Sequence, residues 1–171
     1  MTARRLAATA FAVLATAGTV VLPALPASAS ISASAINTFI NRMTNLCLEV
    51  PDSSTESNKP VRQALCSGGT NQWWEFVPST SIGYGQYRNV SSRMCLEVRD
   101  GSDSPGATIQ QNHCADVPNQ KWYYDSSTGY LRPLHSSGNC AAAVSSQNLA
   151  AVRQYPCSPA GTVFPFWQTG F

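Results

Sequence analysis

Laid over itself at an offset of 48 residues, the chain brings Cys47 onto Cys95, Cys66 onto Cys114, Asn71-Gln72 onto Asn119-Gln120 and Trp74 onto Trp122. The tetrapeptide Cys-Leu-Glu-Val occurs in both copies, at Cys47–Val50 and Cys95–Val98. A third, looser copy puts Cys140 and Cys157 at the two cysteine positions and Trp167 at the tryptophan position, with offsets of 45, 43 and 45 from the second. Agreement across types as rare as Cys and Trp divides the chain into three units, about 36–79, 80–127 and 128–171. Repeats of this length with about four short strands each would suit propeller blades, but propellers need roughly four to eight of them, so three-fold closure of small β units fits better.

The residues before the first unit have another character. Arg4 and Arg5 precede an uncharged apolar run from Leu6 to about Leu25, and Ala27-Ser28-Ala29 is a small-x-small site. That is the layout of a secretory signal peptide. The run approaches the ~20 residues needed to span a bilayer, but its Ala, Thr and Gly content and the cleavage-like site favour export and removal over anchoring. Residues 1–29 are expected to be the leader and 30–35 a short N-terminal segment, with Ala33-Ser34-Ala35 a second possible cut. Loss of 1–29 leaves 142 residues, in which eleven Lys plus Arg fall to nine against nine Asp plus Glu. A near-neutral mature chain without a basic cluster disfavours nucleic-acid binding. The expected product is a secreted, extracellular, monomeric domain, free of the membrane.

Six cysteines in an exported chain read as three disulfides rather than metal ligands, and no Cys-x-x-Cys occurs. They allow 15 pairings in general, but each unit carries its own pair, separated by 19, 19 and 17 residues. The symmetric solution is Cys47–Cys66, Cys95–Cys114 and Cys140–Cys157. Within the second unit, Tyr87, Val90, Met94, Leu96 and Val98 supply strand-forming residues, which Asp100-Gly101 and Ser104-Pro105-Gly106 interrupt. Thr108–Gln111 reads as a second strand and Lys121–Tyr124 as a third, before a turn over Asp125–Gly129. After the leader no stretch sustains an apolar 3.6-residue period, so the class is all-β.

These cysteine pairs in register with Gln72-Trp73-Trp74 and Gln120-Lys121-Trp122 give the chain a resemblance to the ricin-B-type lectins, also classed as family-13 carbohydrate-binding modules. Their units end in Gln-x-Trp; the third unit here has Pro165-Phe166-Trp167. The resemblance covers the whole mature chain and implies a β-trefoil. It also implies shallow sugar pockets, at most one per unit, for galactose-type or xylan-type ligands. In such a pocket a carboxylate after the first cysteine accepts hydrogen bonds from hydroxyls, amides both donate and accept, and a ring stacks on the sugar.

Carried over position by position, the second unit has Glu97 as carboxylate, Gln110 as strand amide, Asn112 where the ring would stand, and Asn119-Gln120 as closing pair. His113 could replace the ring. The first unit keeps Glu49 and Asn71-Gln72 but has Arg62 and Ala64 at the amide and ring positions. The third offers Tyr155 as a ring, with Arg153 at the amide position and Ala142 in the carboxylate slot. The tryptophans read as core residues about the pseudo-three-fold axis, with Gln72 and Gln120 bracing backbone or carboxylate. Catalysis has no motif: neither Gly-x-Ser-x-Gly nor His-Glu-x-x-His occurs, and the two retained acids lie in different units. The expectation is a non-enzymatic lectin without a cofactor, using mainly the second unit. The alternative is a protein-binding trefoil, a protease inhibitor or exported interaction factor with decayed sugar pockets.

Overall fold

The computed structural model describes residues 35–158 and 163–170, and these are strands joined by turns and short 3-10 segments. The expected leader lies outside the described residues. The first repeat holds β1 (Ile36–Asn41), β2 (Cys47–Glu49), β3 (Lys59–Pro60), β4 (Arg62–Ala64) and β5 (Trp74–Pro78). The second holds β6 (Gly85–Asn89), β7 (Cys95–Val98), β8 (Ile109–Asn112) and β9 (Trp122–Asp125). The third holds β10 (Tyr130–Pro133), β11 (Asn139–Ala143), β12 (Val152–Pro156) and β13 (Trp167–Gly170).

Antiparallel pairing runs β13 to β1, β1 to β5, β5 to β6, β6 to β9 and β9 to β10. The Trp167 amide donates to Gly129 O at 2.8 Å, next to the start of β10, and completes the ring of strands. Three hairpins, β2–β4, β7–β8 and β11–β12, cap it. A short barrel closed by three hairpins is the expected β-trefoil. The disulfides are also those expected: Cys47–Cys66, Cys95–Cys114 and Cys140–Cys157, each tying the first strand of a hairpin to the residues just past the end of its second strand.

The apolar alternation of the hairpins explains the core. Leu48 and Val50, Leu96 and Val98, and Ala141 and Ala143 are all buried inward, with Val61, Ile109 and Val152 beside them. Trp74, Trp122 and Trp167 are fully buried. Burying indole leaves a donor to satisfy, and each finds the same partner: Nε1 donates to Leu48 O at 3.1 Å, Leu96 O at 2.8 Å and Ala141 O at 2.8 Å. The repeats are thus alike in hydrogen bonding as well as spacing.

A second three-fold set of buried residues joins the repeats. Gln63, Gln111 and Gln154 are each fully buried three residues before a unit's second cysteine. Gln63 Nε2 donates to Ser145 O and Gln147 O of the third repeat, both at 2.9 Å. Gln111 Nε2 donates to Ser54 O at 2.9 Å and Glu56 O at 2.8 Å in the first repeat. Gln154 Nε2 donates to Ser102 O at 2.8 Å and Ser104 O at 3.5 Å in the second. Each repeat therefore grips a loop of a different neighbour, closing a cycle.

Candidate functional site

The hairpin β7–β8 sets Cys95 opposite Asn112, Glu97 opposite Gln110 and Val98 opposite Ile109. Since Leu96 and Val98 face the core, pleating sends Cys95 and Glu97 to the other face. There the 3-10 turn Pro118–Gln120 covers them, and Glu97 is left only 6% exposed. A buried carboxylate must be hydrogen-bonded, and this one takes four donations. Oε1 accepts from Gln110 Nε2 at 2.8 Å and Asn112 Nδ2 at 3.1 Å. Oε2 accepts from Gln120 Nε2 at 2.7 Å and Asn112 Nδ2 at 3.2 Å. All three partners are neutral amides.

Gln120 also donates to His113 O at 2.9 Å and accepts from the Ala115 amide at 2.8 Å, so it ties the carboxylate to the segment around Cys114. Asn119 Nδ2 donates to Val98 O at 2.8 Å, holding the turn against β7. Gln110 meets a loop of the first repeat through Asn58 Oδ1 at 3.0 Å, and accepts from Arg99 Nε at 2.7 Å. Asn112 is half-buried and His113 is exposed. The structure therefore gathers Glu97, Gln110, Asn112, Asn119 and Gln120 at one place, with the backbone of His113 at its edge.

The first repeat reproduces this arrangement with a cation in it. Glu49, also 6% exposed, accepts from Gln72 Nε2 at 2.9 Å and Asn71 Nδ2 at 3.5 Å. Its other oxygen pairs with Arg62 Nε at 2.7 Å, and the same guanidinium reaches Asp52 at 3.4 Å. Gln72 also donates to Leu65 O at 2.8 Å and accepts from the Ser67 amide at 2.8 Å, as Gln120 does in its own repeat.

The third repeat lacks acid and amide together, for Ala142 stands at the first position and Pro165 at the second, and both are buried. A buried carboxylate without its amide, or the reverse, would leave an unpaired polar group. Backbone replaces the asparagine as well: where Asn71 Nδ2 donates to Val50 O at 3.0 Å, the Phe164 amide donates to Ala143 O at 2.9 Å. Tyr155 sits across from Cys140, half-buried, with its ring against Gly106 of the second repeat. Gly106 has φ +87°, and a Cβ there would stand 3.6 Å from the tyrosine hydroxyl.

Sequence reasoning missed Asn58 and Arg99, because neither falls in the frame of cysteines and tryptophans. It placed Asn112 only as an absent ring, whereas its amide spans both oxygens of Glu97. Among the described residues no group of three or more His, Cys, Asp and Glu could hold a metal ion. A cavity of about 360 Å³ lined by Ile36, Asn37, Thr38 and Trp73 contains none of the candidate residues.

Comparison with known proteins gives this geometry a family. No curated protein matches the chain. Among solved structures, the designed three-fold symmetric protein ThreeFoil is 29% identical with a TM-score of 0.69, the match covering 80% of this chain and 98% of that one. An exo-beta-1,3-galactanase from Clostridium thermocellum, 1,3Gal43A, is 24% identical at a TM-score of 0.71, over 81% of this chain but 30% of that one. The Polyporus squamosus lectin, solved with Neu5Aca2-6Galb1-4GlcNAc, is 14% identical at 0.67, over 82% and 50%. These last two likenesses speak for the fold alone. The family model for the ricin-type beta-trefoil lectin domain matches residues 35–167, nearly the whole described chain, and the protein belongs to that family.

Proposed function

We propose that the protein is an exported, non-catalytic lectin whose main sugar contact lies in the second repeat. Carbohydrate binding is supported by the family match, and export by three disulfides, which need an oxidising compartment. The family supports a binding rather than a catalytic role, and the lone carboxylate held by amides in the second repeat agrees with it.

The observation that carries the assignment to the second repeat is the charge balance of the three equivalent positions. Glu49 is matched by Arg62 at 2.7 Å, and Ala142 carries no charge. Glu97 is held by neutral amides alone, so its negative charge remains available to hydroxyl donors. Sugar hydroxyls form stronger hydrogen bonds to an ionised acceptor than to a neutral one. Gln110 and Gln120, with the shorter bonds of 2.8 and 2.7 Å, brace the carboxylate. Asn112, half-buried and bonded at 3.1 and 3.2 Å, is the partner a hydroxyl displaces. The exposed His113 supplies a ring for the apolar face of the sugar, Asn119 closes the pocket, and Glu49, Asn71, Gln72 and Tyr155 form weaker secondary positions. Galactose-type and xylan-type ligands are the first to try.

The test is a glycan array with pull-down on soluble galactans and xylans, using the disulfide-intact protein. We expect weak binding to single sugars and retention on polymers, lost in Glu97→Ala and kept in Glu49→Ala, with both variants folded by circular dichroism. No binding across diverse glycans, or a Glu97→Ala variant that binds like the parent, would sink the assignment. Protease inhibition by the same preparation would turn it towards a protein-binding role.

A further inference from the structure

We infer that Arg99 makes the second-repeat pocket selective for sugars bearing an acidic group, such as a uronate carboxylate or a sulfate; the inference rests on the lectin reading above. Arg99 opens the 3-10 turn Arg99–Gly101 directly after β7, and its hydrogen bond to Gln110 puts its side chain on the face of the β7–β8 hairpin that carries Glu97. Its amide donates to Thr108 O at 2.9 Å, which places it two positions past the Glu97–Gln110 pair and directly after Val98–Ile109. One amide separates cation and anion. Gln110 accepts from Arg99 Nε at 2.7 Å and donates to Glu97 Oε1 at 2.8 Å.

The half-buried guanidinium is underused. Its two hydrogen bonds go to neutral oxygens, Gln110 Oε1 and, at 3.3 Å, Asn58 O, leaving three of its five N–H groups. No carboxylate among the described residues stands within ion-pair distance of it, whereas Arg62, Arg88, Arg93, Lys59 and Lys121 all have one. Arg42, Arg132 and Arg153 form no such pair among the described residues either, but they meet other groups: Arg42 donates to Ser126 O and Thr128 O, Arg153 donates to Gly106 O, and Arg132 lies over the Tyr130 ring. A planar fork with free donors matches a carboxylate or sulfate. Glu97 repels such a group at its own end of the pocket, so the acid lies towards Thr108 while the hydroxyls face Glu97 and Asn112. The first repeat cannot do this, for its guanidinium is already spent on Glu49 and Asp52.

The test is an NMR titration of the disulfide-intact protein with methyl galactoside, methyl galacturonoside and the methyl ester of the latter, which keeps the shape and removes the charge. The acid should bind about ten-fold tighter than its ester at low ionic strength, with the gap narrowing as salt rises. Arg99→Gln should bring that ratio close to one. Equal affinity for acid and ester in the parent protein would overturn the inference and leave the lectin reading standing. So would an Arg99→Gln variant that stays folded yet keeps the preference, or that loses the neutral galactoside as well, since Arg99 would then be a brace. If none of the three sugars binds, the inference is overturned while the lectin reading stands or falls by the glycan array; if binding ignores Glu97→Ala, the assignment to the second repeat fails and the selectivity falls with it.

Discussion

At the scale of single residues, the two glutamates are less open than their place in a repeated tetrapeptide suggests. Glu97 and Gln120 are bonded at 2.7 Å in a buried setting, and the third repeat lacks both partners. A double-mutant cycle should therefore show strong coupling: Gln120→Ala in the parent costs about 2 to 3 kcal/mol by chemical denaturation, and distinctly less in the Glu97→Ala background. Additive effects would count against a shared network. Asp125 offers a separate check. The Ser127 hydroxyl first, and then Thr128, hold its carboxylate from 3.8 down to about 2. The native state therefore binds this proton less readily than the unfolded chain, and the resulting stabilisation is full above the unfolded value and lost as pH falls through about 2. Asp125→Asn should flatten the fall in denaturation midpoint between pH ~4 and ~2. An unchanged acid limb would contradict this. The sequence could show that Glu49 and Glu97 were equivalent, but not that three amides would close over one and a guanidinium over the other. Those partners lie 13 to 23 residues away and are brought together by the hairpin and the turn.

At the scale of elements, the hairpins and their cross-links were legible because cysteine and tryptophan mark them in every unit. The 19-residue separations of the first two disulfides imply roughly 3 kcal/mol each in the chain-entropy model, so replacing Cys95 and Cys114 together by Ser should lower stability by about that amount. The inter-repeat glutamines left a fainter trace. An amide stands three residues before the second cysteine in all three units, yet its acceptors belong to another unit, which comparison of each unit with the next does not reveal. Their environments also differ. Gln63 Oε1 accepts from Thr44 and Gln111 Oε1 from Ser92, at 3.1 and 2.7 Å, while Gln154 Oε1 is buried without a partner. Gln111→Ala should accordingly destabilise by about 3 kcal/mol and Gln154→Ala by about 1 kcal/mol less, in guanidinium titrations. Reversal of that order would refute the assignment.

At the scale of the whole molecule, the three grips run from first repeat to third, third to second and second to first, so no repeat is complete alone. Unfolding of the oxidised protein should therefore be a single transition, with tryptophan fluorescence and far-ultraviolet dichroism superimposing. A peptide spanning 85–133 alone should show a cooperative transition by neither probe. Two resolved transitions would mean the repeats are separable. The pairing of β1 with β13, which sets Thr38 against Gly170, has a topological consequence of its own. Because the two ends of the domain lie side by side, a short linker can join them, and the chain can be cut open afresh at the β5–β6 turn, where Ile82 is 99% exposed. Such a circular permutant would keep every strand pair, disulfide and inter-repeat grip while moving the first repeat from first made to last. Order of synthesis and architecture are, for this ring of three, independent variables.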